Sequence, residues 1–277
     1  MSNPIIQTTF NIGYDQFHVS KCGNDGPTIF FVHGAGFCAD TWTILMNMLI
    51  KQLKVQCYAI DLRGHGRSKC SDEKDMSLDV ISDDVLNVIK QVRAKKLILV
   101  GHSLGGAIVS KLASQLDNVI GLIIIDIVEG HALKVLSSMQ STIDNTPKHF
   151  NSLDSAINWM VKSGRVRNID SAKLSTKNLF IEVNGKFLWR TNLSMTSDYW
   201  KGWFTGLANN FLNSKSAKLL ILSEIDRLDK AFTIAQMQGK FELKMIQNCG
   251  HAIQEDQPDK VYETIKHFLI RNKFIKA

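Results

Sequence analysis

Residues 97–110, LILVGHSLGGAIVS, constrain the fold of this chain more than any other stretch. A short apolar run stops at Gly101, and a helix-forming pattern starts at Leu104. Between them stands one serine, Ser103, with glycine two places before it and two places after. A chain that passes from a buried strand into a helix this abruptly must turn in strained backbone geometry, where neighbouring side chains clash. The turn presents the hydroxyl at the edge of a sheet, and the following helix points its free N–H groups at the same place. G-x-S-x-G alone is a modest signal. With a strand before and a helix after, it has the context of a nucleophile elbow.

The rest of the chain repeats the same alternation. TIFFVHG (28–34), KVQCYAIDLRGHG (54–66) and GLIIID (121–126) read as strands running into turns, and so does KLILV before the elbow. TWTILMNMLIKQL (41–53), with Thr41 as its N-cap, and MSLDVISDDVLNVIKQVRA (76–94) have helical spacing. IIQTTFNI (5–12) and QFHVS (16–20) read as a hairpin around Gly13. This rhythm predicts a mainly parallel sheet with helices on both faces. It pauses at about residue 130, where roughly 90 residues read as mostly helical, and resumes with AKLLILSEID (217–226), FELKMIQNCGH (241–251) and a closing helix from Pro258. The expectation is an α/β core from 1–129 and 217–277, interrupted by a helical lid at 130–216.

Composition narrows the classes. The chain is 44% hydrophobic and 21% charged, enough apolar material for a sizeable core. Its formal charge of +7 is spread along the sequence with no dense Lys/Arg block and no nucleic-acid motif, so no nucleic-acid partner is expected. The five cysteines are scattered and contain no C-x-x-C, which argues against a disulfide framework or zinc site and suits a reducing compartment. The N-terminus does not read as a secretory signal. The longest apolar run, VIGLIIIDIV (119–128), is too short to span a bilayer. A soluble intracellular protein, with no metal, no cofactor and no membrane partner, is the expectation.

A serine hydroxyl needs a base. Among eight histidines, His251 lies in a loop after the last strand and before the last helix, where the order Ser, acid, His puts the base. His102 sits inside the elbow and is expected to pack or hydrogen-bond, and His33 and His65 read as structural. Two acids compete. Asp226 follows the LLILSEI strand and is preferred on spacing alone, and Asp126 ends the strand nearer the nucleophile. The oxyanion hole is expected from the glycine-rich loop HGAGF (33–37), through the N–H of Ala35 or Gly36, together with the N–H of Leu104. In DYWKGWF (198–204), Trp200 and Trp203 fall on one side of a helix, either as substrate or partner contacts or as packing of the lid.

These residues resemble the protein phosphatase methylesterases, serine esterases with the α/β-hydrolase fold. The likeness runs through VHGAGFCADTW, GHSLGGAIV, IIIDIVEGHAL, AINWMVKSGRVRN, YWKGWFTGLANNFL, DRLDKAFTIAQMQGKF and CGHAIQEDQPDKV, and so covers nearly the whole chain. It implies hydrolysis of the methyl ester on the C-terminal leucine of the type 2A phosphatase catalytic subunit, with that tail as substrate. It implies Ser103, His251 and Asp126 as the triad, with Asp226 as the alternative acid, and a cytosolic, partly nuclear location. DRLDK (226–230) then becomes a structural feature or a contact to lid or partner. Two other readings stand beside it: a small-molecule carboxylesterase with the same triad, and a non-catalytic phosphatase binder. Some members carry a long acidic insert before the segment matching WRTNLSM, and here that region (175–187) is short.

Overall fold

In a computed structural model, which describes residues 4–276, the strands follow the alternation read from the sequence. In chain order they are β1 (Ile6–Ile12), β2 (Asp15–Cys22), β3 (Thr28–Val32), β4 (Gln56–Ile60), β5 (Leu97–His102), β6 (Val119–Ile125), β7 (His149–Phe150), β8 (Phe180–Val183), β9 (Lys186–Trp189), β10 (Ala217–Leu222) and β11 (Glu242–Met245). Among the described residues, eight of them form one sheet in the order β1-β2-β4-β3-β5-β6-β10-β11. From β4 to β11 every neighbouring pair is parallel, and the β1–β2 hairpin adds an antiparallel edge.

The central strands are buried on both faces, which is why they read as continuous apolar runs rather than alternating ones. On one face Thr43–Gln52 and Pro258–Arg271 pack over Ile29, Phe31, Val100 and Ile123. On the other, Leu78–Val92 and Leu104–Leu112 cover Phe30, Leu99 and Leu122. Because β3, β5 and β6 are neighbours, the loops after them open side by side at the C-terminal edge of the sheet, the usual place for a site in such folds.

The first helix differs from its sequence reading. A 3₁₀ turn at Ala39–Trp42 precedes the α-helix, which starts at Thr43, and Thr41 does not cap it. The Thr41 hydroxyl instead donates to Glu255 at 2.5 Å.

The chain leaves the sheet after β6 and returns at β10. The intervening segment is not purely helical. It holds helices at Glu129–Asp144, Leu153–Lys162 and Ile169–Ser175, and also a three-stranded antiparallel sheet in the order β7-β9-β8. The β8–β9 hairpin turns at Asn184-Gly185, both with positive φ (50° and 72°), the dipeptide that a tight primed turn requires. Phe150, Phe180, Trp159 and Trp189 pack together beneath it.

Trp200 and Trp203, on Trp200–Phe204, belong to the main core. Both are buried in the cluster that covers the sheet. Their indole N–H groups are used internally, Trp200 on Thr196 Oγ1 at 2.8 Å and Trp203 on the Met76 carbonyl at 2.6 Å. In the structure both therefore act in packing.

One buried carboxylate joins the inserted segment to the core. Glu255 accepts from Thr41 and, at 2.7 Å, from Ser175 on the Ile169–Ser175 helix, and its backbone carbonyl accepts from Ser171 at 2.7 Å. Burial pushes its carboxyl up to about 7 against the pull of the two hydroxyl donors. The folded state therefore holds a proton that the unfolded chain releases between pH 4.5 and about 7. Relative to Glu255→Gln, which cannot titrate, the wild-type protein is expected to lose stability as pH rises through that window, by up to about 1.4 kcal/mol per unit. Urea unfolding of both forms at pH 4.5, 6 and 7.5 checks this. A constant difference between them would mean that Glu255 ionises normally.

Candidate active site

The elbow is built by steric necessity. A Cβ on Gly101 would lie 2.2 Å from the Gly105 carbonyl oxygen, and one on Gly105 would lie 2.1 Å from that of Val32. Only glycine lets strand and helix approach this closely. Ser103 takes φ 52° and ψ −118°, outside the ordinary regions for a side-chain-bearing residue. Its N–H still donates to the Ile125 carbonyl at 3.0 Å, so the sheet holds the strained residue in place.

Asp126, just past β6, is also left-handed, at φ 53°. Its carboxylate is saturated by donors. Ser223 gives its N–H (3.2 Å) and hydroxyl (3.0 Å) to Oδ1. His251 donates Nδ1–H to Oδ2 at 2.7 Å, and Arg227 pairs with the same oxygen. Burial alone would raise this acid, but the His251 hydrogen bond and the charges of His251 and Arg227 hold it at about 2. It is an anion at any pH near neutrality. Asp226, the alternative acid, lies exposed in the 3₁₀ turn Ile225–Arg227, with no hydrogen bond to His251 among the described residues.

The His251 ring is partly exposed and lies 4.6 Å, centroid to centroid, from the ring of His102. His102 Nε2–H donates to the His251 carbonyl at 2.9 Å, tying the histidine loop to the elbow. Burial, followed by the neighbouring His251, depresses His102 to about 3, so it is neutral and unsuited to carrying protons. Among the described residues, Ser103 Oγ has no hydrogen-bond partner, so His251 bonds Asp126 but not the serine. Serine and imidazole commonly tighten only when substrate is present.

The loop after β3 passes against the elbow: a Cβ on Gly34 would lie 3.0 Å from Ser103 Cβ. Of its two donors named from sequence, Gly36 is spoken for. Its N–H donates to His65 Nε2 at 3.0 Å, while His65 Nδ1–H donates to the Arg63 carbonyl at 2.7 Å. Burial, then the charge of His33, holds His65 at about 3, a neutral ring with one donor and one acceptor. The N–H groups of Ala35 and of Leu104, the first residue of its helix, have no partner among the described residues. His33 uses its own two nitrogens on Gly34 O and Leu62 N–H.

Three participants escaped the sequence reading. Ser223 directly follows β10 and Arg227 lies in the 3₁₀ turn Ile225–Arg227, and both bond the Asp126 carboxylate; Arg227 is the second residue of DRLDK, and the fourth, Asp229, caps its own helix and accepts from Gly130 N–H at 2.9 Å. The third, Arg165, lies on the far side of the oxyanion loop, where it donates to the Gly36 carbonyl at 3.3 Å.

A strained serine at a strand–helix turn, an aspartate-held imidazole and two unpartnered amides are the parts that acyl-transfer chemistry uses. The chain belongs to the alpha/beta hydrolase family, whose family model matches residues 29–264. Within it, the chain is a member of the protein phosphatase methylesterases. It is 37% identical to "Protein phosphatase methylesterase 1" of Bos taurus over 97% of this chain and 83% of that protein, and 40% identical to that of Schizosaccharomyces pombe over 90% and 76%. Among solved structures, E-2-(acetamidomethylene)succinate hydrolase superposes with a TM-score of 0.79 at 19% identity, covering 96% of this chain and 99% of that one. That likeness is one of fold. Among the described residues, no helix is long and apolar enough to cross a membrane.

Proposed function

We propose that this protein removes the methyl ester from the C-terminal leucine of the type 2A phosphatase catalytic subunit, as a serine carboxylesterase. The observation that carries the reading is the Asp126–His251 pair at 2.7 Å beside an elbow serine, in a chain 37% identical to methylesterases. His251 Nε2 takes the Ser103 proton as Oγ attacks the ester carbonyl. The oxyanion forms against the N–H groups of Ala35 and Leu104, and each such donor is worth about two to three orders of magnitude in rate. The imidazolium, stabilised by Asp126, then protonates the departing methanol. Water enters by the same route, attacks the acyl-enzyme and frees the leucine carboxylate. His102 and His65 act as positioning residues, the first through the His251 backbone and the second through Gly36. Residues 130–216 act as the lid that shapes access to this site. A cytosolic and partly nuclear location accompanies this reading.

Carboxymethylated phosphatase catalytic subunit, incubated with the protein and followed by mass spectrometry of its C-terminal peptide, is expected to lose the methyl mass. Turnover of small p-nitrophenyl esters with the phosphatase left methylated would overturn the substrate and point to a small-molecule esterase. Tight association with no turnover of either would point to a binder.

A further inference from the structure

Beside the oxyanion loop, on the side of the inserted segment, lies a cavity of about 230 Å³. Ligand sites for whole small molecules usually measure about 300–1,000 Å³, so this one suits a side chain better than a metabolite. Its wall is apolar at Ile143, Leu188, Trp189 and Leu193, and it carries two cations, Lys148 and Arg165. None of its described lining residues is a carboxylate.

Arg165 is the unusual member. Its guanidinium is held between two rings, 5.1 Å from the Trp189 centroid and 5.5 Å from that of Phe37. It has five N–H donors, yet its hydrogen bond is the single 3.3 Å contact to Gly36 O, and its buried Nε has no partner among the described residues. No carboxylate forms an ion pair with it among the described residues; Glu255, whose charge acts on it, spends its oxygens on Thr41 and Ser175. Arg165 is half-buried, and a partly desolvated cation left without a paired anion is costly, so an incoming anion would find it poorly satisfied. The position fits the reaction site. A Cβ on Gly36 would lie 2.7 Å from Arg165 Nη2, while Gly34, two residues back, abuts Ser103.

We propose that Arg165 is a specificity-determining residue that pairs with an acidic side chain of the substrate tail, a few residues upstream of the reacting leucine, when the tail lies across the 34–36 loop. This deepens the methylesterase reading and rests on it. A carboxylate entering the cavity would meet a planar fork of donors already fixed by two aromatic faces, the geometry that favours a two-point ion pair. Lys148 adds attraction at the wall, and the apolar lining seats the neighbouring part of the peptide.

Binding tests this without turnover. The Ser103→Ala protein is titrated, by fluorescence anisotropy, with labelled hexapeptide methyl esters ending in leucine. One peptide is neutral throughout, three carry Asp one, two or three places before the leucine, and one is the neutral free acid. The expected result is that at least one Asp peptide binds about 10- to 100-fold tighter than the neutral ester. Adding Arg165→Gln erases that gain, and Arg165→Lys restores part of it. Circular dichroism melting confirms that each form is folded, and Arg165→Met, which keeps the apolar stem, replaces Arg165→Gln if that variant is not. The proposal is overturned if no Asp peptide gains, if the gain survives loss of the guanidinium, or if no peptide binds. A gain by the free acid that matches the best Asp peptide also overturns it, by assigning the cation to the product carboxylate. Failure of the methylesterase reading shows elsewhere, as wild-type protein that leaves the neutral methyl ester intact in mass spectrometry.

Discussion

Ser103→Ala lowers turnover of the methylated phosphatase tail by about 10⁴- to 10⁶-fold, the range seen when a triad nucleophile is removed from an otherwise intact hydrolase. The size of the loss follows from the geometry. The strained turn at φ 52° holds one side chain at the C-terminal edge of β5, and alanine keeps the turn while deleting the hydroxyl proposed to attack. A residual rate is expected from the N–H groups of Ala35 and Leu104, the proposed oxyanion donors, which would still polarise a carbonyl for attack by water. The variant keeps the fold, because the elbow is fixed by Gly101, Gly105 and the Ser103 N–H bond to Ile125, none of which uses the hydroxyl. The measurement is kcat on the methylated subunit and on a p-nitrophenyl ester, beside a melting curve. A loss smaller than tenfold on both substrates, in folded protein, would remove Ser103 as the nucleophile.

The elbow was readable because its chemistry is local: three glycines and a serine between an apolar strand and an apolar helix leave few other conformations. The parallel sheet was readable for a similar reason, since strands buried on both faces must be continuously apolar. What escaped depends on contacts made at long range. Nothing around Gly36 tells that its N–H is taken by His65, 29 residues later, so both loop donors looked equal. The small sheet in the inserted segment did announce itself, through Asn184-Gly185 between FIEV and KFLW, but its strands are four residues or shorter and lie among helical patterns that outweigh them. The tryptophan pair shows the limit of spacing arguments. Two indoles on one helix face fit a binding surface and a buried seam equally well, and only the fold shows the Met76 carbonyl opposite Trp203 that draws it into the core. Arg165 carries no sequence signal at all; that no carboxylate pairs with it among the described residues shows only in the packing.

The choice of acid turns on the same distinction and gives the second large effect: Asp126→Asn is expected to reduce kcat by about 10⁴-fold, while Asp226→Asn stays within about twofold. Both aspartates follow strands that are neighbours in the sheet, so position along the chain separates them poorly. Their surroundings differ in kind. Asp126 is buried and takes four hydrogen bonds or ion pairs from Ser223, His251 and Arg227, and Asp226 is solvated. An asparagine at 126 is nearly isosteric, so the fold and the ring position survive. Its amide, however, can present an N–H to His251 Nδ1, which moves the ring proton to Nε2. The imidazole then has no lone pair facing Ser103 and cannot act as base. The neutral side chain also stops stabilising the imidazolium that forms as the serine attacks, and it leaves Arg227 beside the histidine with only the exposed Glu224 as counter-charge, which disfavours that imidazolium further. Loss of turnover with unchanged tail binding is therefore the signature, read as kcat falling at constant affinity. If Asp226→Asn is the crippling change and Asp126→Asn is mild, the 2.7 Å pair is a resting contact and the working acid comes from the other strand.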